Sequence, residues 1–226
     1  MFIGHYAVAL AAKKAAPRVS FGTLLLSAQF LDLLWPALLL LGLEHVRIAP
    51  GNTAFTPLDF YDYPISHSLL TVMGWGVAFG LGYFLLKHDR RSVLVLGICV
   101  VSHWVLDFIS HRPDLPLAPG VHQYVGLGLW NSVAATVIVE SLMFFAGLAL
   151  FVSASRAKDN TGRFAFWVFI VFVLCLYVGN VLGGPPPDVT KLAWFGIAQW
   201  LLIPWAYWID RHRTAQSATL VRTQSA

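Results

Sequence analysis

Histidine and aspartate recur inside stretches of this sequence that are otherwise apolar: His5, Asp32, His67, His103 and Asp107. Imidazole and carboxylate without thiolate form a ligand set suited to zinc, manganese or iron. His103 and Asp107 are four residues apart, so on a helix they share a face and can reach one ion, and His111 continues that line. Asp32 sits in the run Ser27-Ala28-Gln29-Phe30-Leu31-Asp32-Leu33-Leu34-Trp35, where an unpaired charge costs about 2.5–3.5 kcal/mol in a membrane-spanning helix. It must pair, stay protonated or bind something. His67 follows Pro64-Ile65-Ser66; proline suits a first helical turn, and Ser66 and Ser68 can hold backbone or imidazole groups. Glu140 lies in the middle of a later apolar stretch and is open between a ligand, a general base and a protonated core residue. A lone histidine in such a stretch is commonly a packing residue. Two aspartates and several histidines in separate apolar segments are harder to dismiss, because ionisable groups there are rare and mostly functional.

The elements that must position these groups read as membrane spans. Of 226 residues, 58% are hydrophobic and 12% charged, against about 25% charged in a soluble globular domain. Mean hydropathy is +0.68. Six stretches are long enough to cross about 30 Å of hydrocarbon: 21–43, 65–86, 92–109, 129–152, 164–182 and 192–209. The expected fold is an all-α polytopic bundle, one domain over 1–210, preceded by a short half-span or interfacial helix and followed by a disordered tail over 211–226. Cys99 and Cys175 fall in apolar stretches and predict neither a disulfide nor a thiolate site. The Lys and Arg residues are dispersed over short loops, which argues against a nucleic-acid surface despite a net charge of +4.

Those fifteen cations divide by side. Lys13, Lys14, Arg18, Lys87, Arg90, Arg91, Arg156, Lys158, Arg163, Arg211, Arg213 and Arg222 fall on one side, leaving Arg47, Arg112 and Lys191 on the other. The positive-inside rule makes the first side cytoplasmic, with both termini there. The N-terminal segment has its apolar run before Lys13, the reverse of a cleaved signal peptide, which predicts that it is retained. If it enters the bilayer as a half-span, His5 lies about 12 Å above Lys13, sharing a level with Asp32 and His103, each about 16 Å from the start of its span. Asp107 falls further out, and His67 at the outer edge. Bringing His67 beside Asp107 then requires a bent helix or a dipping loop.

The succession Gly4-His5, Asp32, His67-Ser68 and His103-x-x-x-Asp107 resembles the YdjM-type family of membrane-bound, metal-dependent hydrolases, also described as LexA-binding and inner-membrane-associated. The resemblance covers roughly Met1 to His111. Gly4 stands where that family has Thr, Leu34 where it has a second Asp, and Asp62-Tyr63-Pro64-Ile65-Ser66 where it has a basic turn. It implies a metal-dependent hydrolase of the bacterial inner membrane with His5, Asp32, His67, His103 and Asp107 at its site.

The chemistry expected is hydrolysis by metal-activated water, zinc being the leading metal, with manganese or iron as alternatives. His103, Asp107 and His67 are the expected ligands; Asp32 and His5 complete the site or orient it, and Asp32 and Glu140 are the catalytic candidates. Lipids are the expected surroundings, and a lipid or lipid-linked phosphate or ester is the expected substrate. The same groups would also serve a cation or proton transporter, although no counterpart of the set occurs in 164–209, or could fix helix packing in a scaffold.

Overall fold

The computed structural model describes residues 1–216. It is an all-α bundle: α1 (Ile3–Ala15), α2 (Phe21–Ala28), α3 (Phe30–Leu40), α4 (Pro64–His67), α5 (Leu69–Lys87), α6 (Arg90–Ser110), α7 (Val133–Ala154), α8 (Asn160–Leu182), α9 (Val189–Ala198) and α10 (Leu202–Arg211). Three antiparallel two-stranded ribbons join them: β1 (His45–Ile48) with β2 (Leu58–Asp62), β3 (Leu115–Pro116) with β4 (Tyr124–Val125), and β5 (Ser155–Ala157) with β6 (Arg213–Ala215). Among the described residues five helices are long and apolar enough to cross a membrane, the last being Val189–Arg211 through α9 and α10; counting α2 and α3 as one bent span makes six. The chain has the build of a multi-pass integral membrane protein.

Side chains such as Leu85, Leu94, Leu142 and Leu182 face outward as large apolar groups, as expected where lipid is the solvent. The interior is built around α1, which is neither interfacial nor lipid-facing. Ile3, Ala9, Leu10 and Ala12 are buried, and α1 packs mainly along α7 and also on α2 and α6. Small residues allow that approach: a Cβ at Gly147 of α7 would run into the carbonyl oxygen of Ala7. At its other end α1 is tied down by buried Lys13, which donates at 2.8 Å to Val19 O and at 2.8 Å to Asp210 Oδ1. The segment therefore packs inside the bundle, its first turn included, as the half-span reading requires.

Two expected spans are interrupted. The stretch 21–43 bends by 56° between α2 and α3. Pro36, one turn beyond Asp32, has no N–H with which to bond the Asp32 carbonyl. Broken helices are tolerated at membrane depth where the freed backbone lines a cavity or is bonded by protein, and both occur here, as described below. The second span starts late: α4 is a single turn, Ser68 is extended, and α5 then begins with Ser68 as its N-cap.

The tail expected to be disordered from 211 onward is ordered in its first part. Strand β6 pairs with β5, and Arg213 donates to Ser155 Oγ, Ser155 O and Gly162 O, which offsets the cost of ordering a polar segment. The rest of that expected tail, 217–226, lies outside the described residues.

Candidate metal centre

Five side chains expected to share a site do so. His103 and Asp107 project from one face of α6, Asp32 from the first turn of α3, His67 from the end of α4, and His5 from the first turn of α1. All are buried except Asp32, whose side chain is 31% exposed. His103 Nε2 lies 3.3 Å from Asp107 Oδ2 and 3.5 Å from Asp32 Oδ1; His67 Nε2 lies 3.7 Å from each of those oxygens. The edge of a tetrahedron is about 1.63 times its centre-to-corner distance, so ligand atoms about 2.0–2.2 Å from zinc stand about 3.3–3.6 Å apart. The four imidazole-to-carboxylate separations are of that order.

Proton positions around the two imidazoles follow from their other nitrogens. His103 Nδ1 is 2.8 Å from the carbonyl oxygen of Ala28, at the α2–α3 break, so it is the protonated nitrogen and donates there. In the neutral imidazole that leaves Nε2 a lone pair, and this atom is buried without any hydrogen-bond partner among the described residues. The helix break thus has a use: a carbonyl at the bend orients a histidine.

His67 is set by a longer relay. Ser66 Oγ donates to Glu44 Oε2 at 2.6 Å and so accepts from His67 Nδ1, also at 2.6 Å, leaving Nε2 free to face the cluster. Glu44 is buried and also accepts from the backbone nitrogens of Ile65 and Ser66, both at 2.7 Å. One carboxylate therefore holds both the start of α4 and the tautomer of its histidine. The broken helix at Ser68 and this clamp solve the depth problem that the sequence posed for His67. Ser66 was legible beforehand as an imidazole holder; Glu44 was not, because it follows its span without any motif.

His5 is stacked on His103, with ring centroids 3.5 Å apart and planes 3° from parallel, and its Nε2 is 3.1 Å from Asp107 Oδ1. The amino group of Met1 also pairs with Asp107 Oδ1, donates to Ser110 Oγ at 3.2 Å and lies 3.1 Å from His5 Nε2. Asp107 thus has one oxygen anchored by α1 while the other faces His67 and His103. Two overlapping groups, His5 with His103 and Asp107, and Asp32 with His67 and His103, each place ligand atoms within 4.8 Å of one another. These groups can hold a metal ion.

Glu140 is in neither group. Its Oε2 accepts from the backbone nitrogens of Phe2 at 2.9 Å and Gly4 at 3.2 Å, so it holds the beginning of α1 where helical N–H groups lack partners. In this arrangement it places His5 rather than touching the cluster.

Above the cluster is a cavity of about 170 Å³. Asp32, His67, Asp107 and His111 form its polar side, and Trp35, Phe60 and Trp130 are among its aromatic walls. The β1–β2 ribbon and the chain between its strands roof it through Phe55, Thr56, Leu58 and Phe60. Most of its wall residues are buried or half-buried; the exposed ones are Asn180 on α8 and Phe195 on α9. At those two residues the lining reaches the apolar outer surface of the bundle.

A separate polar network lies on the same side. Arg47 donates to Asp59 at 2.6 Å, Arg112 to Asp59 at 2.5 Å and to Asp114 at 3.3 Å, and His111 Nδ1 lies 2.9 Å from Asp114 Oδ1. Tyr63 donates to Asp114 at 3.2 Å, and burial together with that carboxylate pushes its hydroxyl well above the ordinary phenol range, so it remains a donor. Asp59, Tyr63 and Asp114 had no distinguishing signal in the sequence. Comparison with protein families, with curated proteins and with solved structures found no match, so the reading of this centre rests on its geometry.

Proposed function

We propose that the protein is a membrane-embedded, metal-dependent hydrolase acting on a lipid or lipid-linked phosphate or ester. The observation that carries this reading is the buried, unpartnered Nε2 of His103, 3.3 Å from Asp107 and 3.5 Å from Asp32, with His67 Nε2 3.7 Å from both carboxylates. Two imidazoles and two carboxylates favour zinc, with manganese or iron as alternatives. A divalent ion held by His103, His67 and Asp107 would keep a position for water, lower the pKa of that water to about 7 and polarise a phosphoryl or carbonyl oxygen. Asp32, the carboxylate of the cluster most open to the cavity, would then face that water and accept its proton.

The substrate class is supported by where the cavity lining reaches that surface. Asn180 is two residues from the end of α8 and Phe195 six residues into α9, about 3 Å and 9 Å from the ends of their helices. An amphiphile can keep its tails in the bilayer and present its polar linkage to the cluster from this edge. The proposal agrees with what the YdjM-type resemblance implies, a bacterial inner-membrane enzyme, with the charge-rich side in the cytoplasm.

The test is hydrolysis by zinc-loaded protein reconstituted in phospholipid vesicles, reading release of fatty acid and of phosphate, with His67→Ala as control. Product formed by wild type and lost in the variant supports the enzyme. Absence of both products together with zinc-dependent ion flux across the same vesicles refutes it in favour of transport.

A further inference from the structure

The opposite end of the molecule holds a larger cleft, of about 800 Å³, that the metal centre does not use. Three cations converge on it from different elements: Lys14 at the end of α1, Arg18 in the turn before α2, and Arg91 in the first turn of α6. None of the three makes an ion pair among the described residues. Lys14 only donates to Ser153 Oγ, at 3.2 Å. Asp89 is the carboxylate in the wall, and it is engaged by its own helix: it accepts from the backbone nitrogens of Arg91 and Ser92 and, at 2.6 Å, from Ser92 Oγ. The cleft thus gathers three cations against one carboxylate, an excess of positive charge.

Its level in the membrane matters as much as its sign. Lys14, Arg91 and Ser153 each lie within two residues of the end of a helix, at the edge of the apolar band where lipid phosphates sit. Basic pockets between helices at that level bind anionic headgroups, each Lys or Arg adding to the attraction.

We propose that this cleft binds the headgroup of an anionic phospholipid from the leaflet on the charge-rich side, with Lys14, Arg18 and Arg91 around its phosphate. The site stands independently of the metal centre. The other basic cleft at this end, lined by Arg156, Lys158, Arg163 and Arg213 with Asp159, provides the comparison, since removing three of its cations takes away the same charge.

The experiment is native mass spectrometry of the full chain, titrated with phosphatidylglycerol against phosphatidylcholine of the same acyl composition. Wild type is expected to prefer phosphatidylglycerol by at least about tenfold. Lys14→Ala, Arg18→Ala and Arg91→Ala combined should bring the two lipids near parity, while Arg156→Ala, Lys158→Ala and Arg163→Ala combined should keep the preference. If the first combination does not fold, Arg18→Gln alone, at an exposed turn, should lower the preference at least about threefold. No preference in wild type, equal loss in both triple variants, or an unchanged preference when Arg18 is removed would each overturn the site.

Discussion

Two regions on one side of this molecule use the same residue types and reach opposite electrostatic outcomes. In the outer network His111, Asp114, Arg112, Asp59 and Arg47 satisfy one another through hydrogen bonds of 2.5–3.3 Å, with arginines present to match the aspartates. In the cluster beneath it, His67, His103, Asp32 and Asp107 approach only to 3.3–3.7 Å. Both imidazoles have their protons fixed on the far side of the ring, by Ala28 O and by Ser66, so bare nitrogens face bare oxygens. A network that is complete is structural; one whose lone pairs converge can hold a cation. The difference teaches that burial and composition alone do not identify a metal centre. The direction of the second ring nitrogen does.

The largest way to break that comparison is to remove a carboxylate from each region. Asp107→Ala should weaken zinc binding by more than about 100-fold, beyond the 10–100-fold typical of a residue that only supports a ligand. Asp114→Ala should leave affinity within about threefold, since it orients no ligand nitrogen. Competition with a chromogenic chelator measures both, and equal losses would erase the distinction between the regions.

A smaller effect belongs to the relay behind His67. Ser66→Ala should cost about 10–100-fold in zinc affinity and alter the visible spectrum of the cobalt-substituted protein, and Ser66→Thr should restore both. If Ser66→Ala binds as wild type does, the imidazole is not being set by Glu44 through Ser66. Lowering pH should weaken binding as well, because the imidazoles must be neutral to bind the metal; pH-independent affinity would exclude them.

Packing gives the next prediction. Gly147→Val should force α1 from α7 and lower stability by about 1–3 kcal/mol, read as a fall in melting temperature in detergent. The smallest effect is expected in the outer network: Tyr63→Phe removes one donor to Asp114 that His111 and Arg112 also serve, and should cost about 1 kcal/mol with zinc affinity unchanged.

Much of the architecture is legible in the sequence because lipid imposes one simple rule, apolar residues outward for the length of a helix. Asp32, His103 and Asp107 could be placed at compatible levels by counting helical rise, and His5 joins them once its segment is a half-span. What counting cannot supply is a break. The bend at Gln29, which leaves Ala28 O for His103, and the extended Ser68, which frees α4 to carry His67 inward, both depend on tertiary contacts. Glu44 was hidden for the same reason, since its partners lie 21 and 22 residues away in sequence. Glu140 was visible as a buried acid, but its use at the start of α1 could not be read without knowing that α1 lies against α7.

The most direct measurement is the metal content of detergent-purified protein by elemental analysis, comparing wild type with His103→Ala, Asp107→Ala and His111→Ala. A divalent ion bound by wild type and by His111→Ala, and absent from the other two, is the predicted result. Wild type that remains metal-free after purification with zinc, manganese or iron, or metal retained in both His103→Ala and Asp107→Ala, would contradict the centre described here.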